Sequence, residues 1–382
     1  VTGFIPYGRQ EVTRADIAAV EAVLRSDFLT QGPAVPRFEV ALAAACGAKH
    51  AVAANSATSA LHLACLALGL GPGDALWTSP NSFVASANCG LYCGARVDFV
   101  DIDPRTYNMC PHALEAKLRA AKAPPKVVVP VHFAGQPCDM AAIGALAQQY
   151  GFRVLEDASH AVGARDAGAP VGACAHSDIA VFSFHPVKIV TTGEGGAALT
   201  RDDALAARMA LLRSHGVTRD PGLMTHAPEG PWCYQQVALG FNHRMTDMQA
   251  ALGASQLERL GVIMLRRRTI AARYDAALAG LPLATPWQRP GADSAWHLYV
   301  IRLDDTARRR AVLEGLRARD IGVNVHYIPI HTQPHYRAMG FAPGDFPAAE
   351  AYYAGAISLP MFPTLTDAQQ ARVIEAVREE AA

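Results

Sequence analysis

Up to residue 200 the chain alternates short apolar runs with helical patterns, and few folds accept that order. The runs occupy 50–54, 75–78, 97–102, 126–131, 152–156, 179–184 and 196–200, with helical periodicity at 61–68, 113–121 and 140–150 between them. Strands alternating with helices predict an α/β fold: a mostly parallel seven-stranded sheet covered on both faces. Ligands in such sheets bind beyond the carboxyl ends of the strands. Ser56, Asp157 and Lys188 all fall at such ends, which makes them the first candidates for chemistry.

An opening helix is predicted after Thr13, with Asp16 three residues on and Ile17, Val20, Val23 and Leu24 at helical spacing. A long helical stretch spans about 246–279. Glycine and proline then punctuate 280–291, which predicts a domain boundary. Residues 1–280 are expected to form an N-terminal helix and a large domain, and 281–382 a smaller C-terminal α+β domain. Within the latter, 296–303 alternates like a half-buried strand, 308–319 is helical and 321–327 is strand-like. Thr366 and Gln369 have the spacing of a capping box for a last helix.

Lys188 ends the run Val181-Phe182-Ser183-Phe184-His185-Pro186-Val187-Lys188 and is followed by Gly193-Glu194-Gly195-Gly196. Burial disfavours an ammonium, so a lysine there is costly unless its amine is neutral or covalently occupied. A Schiff base with an aldehyde cofactor meets that condition. A solvated lysine at a strand end is the plain alternative, and the run Asp157-Ala158-Ser159-His160 upstream weighs against it. Pyridoxal 5'-phosphate (PLP) needs a carboxylate against its ring nitrogen, so that the protonated ring can draw electrons, and Asp157 offers one. It also needs a phosphate cradle. Ser56-Ala57-Thr58-Ser59 opens a helix, where backbone N–H groups and the helix dipole favour a dianion. Taken alone that run is an ordinary N-cap; acid, lysine and cradle in this order point to PLP.

These motifs, with Asp27-Phe28-Leu29-Thr30-Gln31-Gly32, Gly240-Phe241-Asn242-His243-Arg244-Met245 and Val325-His326-Tyr327, resemble the DegT/DnrJ family of nucleotide-sugar aminotransferases over nearly the whole chain. The resemblance implies a fold-type-I PLP-dependent transferase. It implies Lys188 as the cofactor-bearing lysine and proton shuttle; the family's dehydratases carry histidine there, so lysine favours transamination. It places Asp157 on the ring nitrogen, His160 on the ring hydroxyl and Phe83 against the ring face. Ser56, Ala57, Thr58 and Ser183 would hold the phosphate. Asn242 would reach the phosphate of the neighbouring subunit's cofactor, which implies a homodimer with shared active sites. For the substrate the resemblance points to Tyr7, to Asp27, Phe28, Leu29 and Thr30, and to Asn324, Val325, His326 and Tyr327. Ala57, Ser183 and Asn242 would also touch it.

Within the family the motifs look most like those serving pseudaminic acid biosynthesis. That implies L-glutamate as amino donor and a UDP-linked 4-keto-6-deoxy-2-acetamido sugar as acceptor. Another keto nucleotide sugar, dTDP- or GDP-linked, is the alternative, and a PLP-binding sensor without turnover is a further one. By residue type alone Phe83 is equally a core ring, His160 a satisfied core histidine, Asp157 a helix N-cap and Arg244 an interface ion pair.

Formal net charge is zero, with 34 basic and 34 acidic residues, which argues against nucleic-acid or membrane-surface binding but not against an anionic small molecule. Eight cysteines without a Cys-x-x-Cys pair predict reduced, mostly buried thiols. Cys89 and Cys93 share a helix face and read as packing. No signal-peptide pattern or bilayer-spanning apolar stretch of roughly twenty residues is present, so a cytoplasmic protein is expected. His326, His331 and His335 crowd together, but Pro329 and Pro334 break the helix that would align them, and no metal site is expected.

Overall fold

The computed structural model describes residues 3–381. Strands β1 (His50–Ala54), β2 (Ala75–Thr78), β3 (Arg96–Phe99), β4 (Val127–Val129), β5 (Arg153–Asp157), β6 (Ile179–Ser183) and β7 (Gly196–Thr200) form one sheet in the order β1-β7-β6-β5-β4-β2-β3. Only β7 runs against its neighbours; the pairs from β6 to β3 are parallel. The predicted runs become these strands with ends shifted by up to three residues. β6 and β7 bury every side chain, which is why they read as unbroken apolar stretches.

Helices cover both faces. Helix α3 (Ala57–Ala67) sets Leu61, Leu63 and Cys65 against Val129, Leu155 and Val181. On the other face α2 (Ala34–Cys46) sets Phe38 and Leu42 against Phe182 and Phe184. Cys89, on α4 (Ala85–Tyr92), and Cys93 just beyond it join the α3 core, and all eight thiols are free. The C-terminal part adds an antiparallel three-stranded sheet of Leu283–Ala284, Tyr299–Leu303 and Ala356–Leu359. Helices Leu260–Leu278, Arg309–Ala318 and Asp367–Ala381 share a second core with it, through Tyr274, Leu316 and Val373. No helix among the described residues is long and apolar enough to cross a membrane.

Both capping boxes form. Thr13 and Asp16 exchange bonds at the start of α1 (Arg14–Leu24), and Thr366 and Gln369 do so before the last helix. The apolar stripe of α1 does not behave as its spacing suggests: Val23 is buried, but Ile17 and Leu24 are 58% and 57% exposed. A polar network docks this helix instead. Asp16, fully buried, accepts from Ser255 at 2.7 Å, Arg259 at 2.6 Å and Gln256 at 3.2 Å. These bonds and those of Thr13 outweigh the desolvation of the Asp16 carboxyl and hold it below the usual carboxylate range.

Three expectations need correction. The stretch 246–279 is two helices, Asp247–Leu257 and Leu260–Leu278, broken where Arg259 turns towards Glu11 and Asp16. The strand predicted from 296 begins only at Tyr299. Trp296 lies in the left-handed region at φ 51°, and the buried Arg267 guanidinium takes the carbonyls of Trp296 and His297. The segment 321–327 is not a strand. Its backbone is divided among Ile5, the Arg317 guanidinium and Ser358, leaving single bridges at Ile321 and Asn324.

Candidate active site

At the carboxyl ends of β5 and β6 a cavity of about 420 Å³ opens. Tyr7, Ser56, Ala57, Thr58, Phe83, Asp157, His160, Ser183, Lys188, His326 and Tyr327 line it, so most residues singled out in the sequence converge there. Pro186 and Val187 form the turn after β6 that brings Ser183 and Lys188 to the same space despite strand alternation. Burial lowers the Lys188 amine to about 8, against the opposing pull of the Asp157 charge. An amine so placed is substantially neutral near pH 8, the form that attacks an aldehyde.

Asp157 ends β5, and strand alternation turns it away from its neighbour Glu156. Glu156 anchors the strand end: its Oε2 accepts from His132 Nε2–H at 2.6 Å, while Cys138 N–H donates to His132 Nδ1 at 3.0 Å. Asp157 itself accepts from Ser86 Oγ at 2.6 Å on Oδ2, and from Ser159 Oγ at 2.5 Å and Ser159 N–H at 3.1 Å on Oδ1. A buried carboxylate with these donors is held in one orientation at the cavity wall.

His160 is neutral with an assigned tautomer. Ala134 N–H donates to its Nδ1 at 3.2 Å, so the ring proton sits on Nε2, 3.1 Å from Tyr327 Oη. Burial first, then the Lys188 and His326 charges, keeps its pKa well below that of a free imidazole. Burial first, then the Lys188 charge, lowers His326, whose Nδ1 lies 2.8 Å from Ser358 Oγ, to about 4. Phe83 is 60% exposed although it lines the cavity, its ring tilted 55° to that of Tyr327 at 6.3 Å.

A phosphate fits the start of α3. Ser56 caps the helix by accepting from Ser59 N–H at 3.0 Å, and the first N–H groups of a helix have no intrahelical acceptor. The chain comes unusually close behind them. A Cβ at Gly196 would lie 2.4 Å from the Ala57 nitrogen and 2.6 Å from the Ser56 carbonyl carbon. Gly196→Ala is therefore expected to push the cradle off its position. It should weaken PLP binding at least about tenfold and lower stability by about 1–3 kcal/mol, as read by cofactor titration and thermal melting.

Other singled-out residues lie outside the cavity lining. Asp27, Phe28, Leu29 and Thr30 are exposed on the loop before α2, anchored where Asp247 accepts from Gly32 and Ala34 N–H at 3.0 Å each. Asn242 is exposed, its carbonyl 3.4 Å from Asn55 Nδ2, next to the cradle. Asn324 and Val325 form the run into His326, with Asn324 Nδ2 3.4 Å from His326 Nε2. The three crowded histidines are put to separate uses: His326 faces the cavity, His331 pairs with Glu350 at 2.8 Å and His335 lies against the Tyr336 ring.

Sequence reasoning missed Ser82, Ser86, Ser159 and His297. His297 lies with its ring tilted against that of His160, centroids 4.4 Å apart, is buried and held neutral by that burial, and its Nδ1 has no hydrogen-bond partner among the described residues. The serines had a faint signal. Ser159 stands two residues after Asp157, and Ser82 and Ser86 are four apart around Phe83.

Residues 10–378 match the DegT/DnrJ/EryC1/StrS aminotransferase family. The spore coat polysaccharide biosynthesis protein SpsC of Bacillus subtilis is 42% identical over 98% of this chain and 97% of its own length. Among solved structures, the putative sugar aminotransferase Spr1654 of Streptococcus pneumoniae in its PMP form superposes with a TM-score of 0.91 at 29% identity, covering 99% of each chain. Helicobacter pylori PseC, an aminotransferase involved in pseudaminic acid biosynthesis, superposes with a TM-score of 0.91 at 32% identity, again over 99% of each chain. With the lysine, the acid and the anion cradle at one cavity, these likenesses establish that the chain belongs to the DegT/DnrJ/EryC1/StrS family and is a PLP-dependent sugar aminotransferase.

Proposed function

We propose that this chain moves the amino group of L-glutamate to the C4 ketone of a UDP-linked 4-keto-6-deoxy-2-acetamido sugar. The product would be UDP-4-amino-4,6-dideoxy-N-acetyl-β-L-altrosamine, an intermediate towards pseudaminic acid. The observation that carries the chemistry is the meeting of a depressed lysine amine, a hydrogen-bonded carboxylate and a helix N-terminus at one cavity. Likeness to PseC supports the sugar.

When bound, PLP supplies an aldehyde carbon that carries the amino group and a ring that spreads the charge of the reacting carbon. Lys188 Nζ takes the proton from the donor's Cα and returns one to the acceptor's C4. Asp157 would keep the ring nitrogen protonated, and His160, a neutral donor through Nε2, would serve the ring hydroxyl. Ser56, Ala57, Thr58 and Ser183 would hold the phosphate, and Phe83 would cover the ring. Tyr7, His326 and Tyr327 form the wall for the sugar nucleotide, with Asn324 and Val325 behind them. Asn242 and the 27–30 loop serve the neighbouring site of a homodimer, which the exposed Ile17, Leu24, Phe28 and Leu29 support.

The higher identity to SpsC than to PseC favours a second reading for the acceptor, a different keto nucleotide sugar. A mass-resolved assay decides between them: purified protein, PLP, L-glutamate and a panel of UDP-, dTDP- and GDP-linked 4-keto-6-deoxy sugars. Amination restricted to the UDP-linked L-arabino acetamido ketosugar is the expected result. Amination of another member alone removes the pseudaminic acid reading.

A further inference from the structure

The hydroxyls behind Asp157 form a chain whose direction the geometry fixes. Asp157, as a carboxylate, only accepts. Ser86 Oγ, 2.6 Å from Oδ2, must therefore spend its single proton on that bond. Ser82 Oγ stands 2.6 Å from Ser86 Oγ, and since Ser86 has no proton left, Ser82 must donate to it. The proton order is Ser82 to Ser86 to Asp157, along residues that are 4%, 0% and 4% exposed. Hydrogen bonds linked in this way polarise one another, most strongly where water is excluded.

Lone-pair counting then gives the arrangement a use. A carboxylate offers about four acceptor sites. Ser159 takes two on Oδ1 through its N–H and hydroxyl, and Ser86 takes one on Oδ2. One site is left, on the oxygen that Ser86 holds, in a residue that lines the cavity. We propose that Ser86, supplied by Ser82, is a positioning residue for transamination that reserves this last acceptor of Asp157 for the ring N–H of PLP. The inference rests on PLP occupying this cavity; it does not depend on which sugar is aminated.

Without Ser86 the carboxylate is tethered through Oδ1 alone, and Oδ2 can turn towards other donors. Ser82 also loses its acceptor. Losing an outer partner of a ligating group typically costs about 10- to 100-fold. Ser86→Ala is expected to weaken PLP binding by about tenfold, to reduce the circular dichroism that the bound cofactor acquires from its asymmetric site, and to lower kcat by about 10- to 100-fold with KM for the ketosugar within about twofold. Ser82→Ala, which leaves the bond to Asp157 in place, should show the same pattern at a few-fold size. Ser86→Thr keeps the hydroxyl and should restore PLP affinity and the dichroic band.

Apoprotein melting separates this from a packing role. An apoprotein Tm lowered by only a few degrees in Ser86→Ala, as the lost acceptor of Ser82 requires, together with the weakened and less dichroic cofactor, is the expected result. If Ser86→Ala binds PLP with wild-type affinity and dichroism, or lowers the apoprotein Tm while leaving both intact, the positioning role is overturned. PLP binding is read without substrate, so a wrong sugar leaves this test untouched; a wild-type protein that fails to bind PLP would remove the reading beneath it.

Discussion

Replacing Lys188 by alanine is expected to slow amino transfer by at least about a thousandfold, because a positioned acid–base group contributes about 10²- to 10⁴-fold and this one is also proposed to bear the cofactor. Among the described residues no other amine lines the cavity: its polar neighbours there are hydroxyls, imidazoles, Asp157 and Glu194. The fold should survive, since the side chain is half-buried and lines the cavity. Single-turnover reaction with glutamate, followed by cofactor absorbance, checks the rate, and thermal melting checks the fold. A residual rate within about tenfold of wild type would remove Lys188 from the chemistry. The amine's pKa of about 8 adds a pH signature for the wild type. Its pKa is lowered, so the neutral form predominates above about pH 8. Capture of PLP by the apoprotein should accelerate about tenfold per pH unit below that point and level off above it.

The sheet was legible because its inner strands are buried on both faces and therefore written as apolar runs, and its site because ligand positions follow from strand ends. Ser56, Asp157 and Lys188 needed only that rule and their side-chain chemistry. Phe83 did not yield to it: an apolar ring is by default core, and only its exposure at the cavity marks it otherwise. Ser86 and Ser82 were hidden for a different reason. A serine in an apolar helix start looks like filler until the strand carrying Asp157 is brought alongside from 71 positions away. His297 and Tyr327 reach the cavity from the C-terminal part, through segments whose backbone is shared among distant partners and has no period to read. The break at Arg259 was invisible likewise, since Glu258 and Arg259 suit a helix and Glu11 and Asp16, far back in the chain, draw the guanidinium aside.

Asp157→Asn should lower kcat by about 10²- to 10³-fold, the size found when one preorganised electrostatic partner of a reacting system is lost. The substitution keeps shape and removes charge. Its amide would keep one acceptor oxygen, which the two Ser159 donors would claim on the Oδ1 side. The amide nitrogen would then stand where Oδ2 does, a donor facing the Ser86 hydroxyl and the cofactor's ring N–H together. Two donors cannot pair, so the ring nitrogen loses the partner that keeps it protonated, and the reacting carbon loses its electron sink. The cavity wall of Tyr7, His326 and Tyr327, proposed to take the ketosugar, stays as it was, so KM should stay within about threefold while kcat falls, the signature of an interaction made in the transition state. Asp157→Ala makes the complementary test. It leaves Ser86 and Ser159 without their acceptor in a buried site, which costs about 1–3 kcal/mol of stability in addition to the rate. Stopped-flow of both half-reactions and thermal melting of the two variants would separate charge from support: equal rate losses with a lower Tm only for alanine are expected, and a near-wild-type kcat in Asp157→Asn would mean that the ring nitrogen is not where this carboxylate acts.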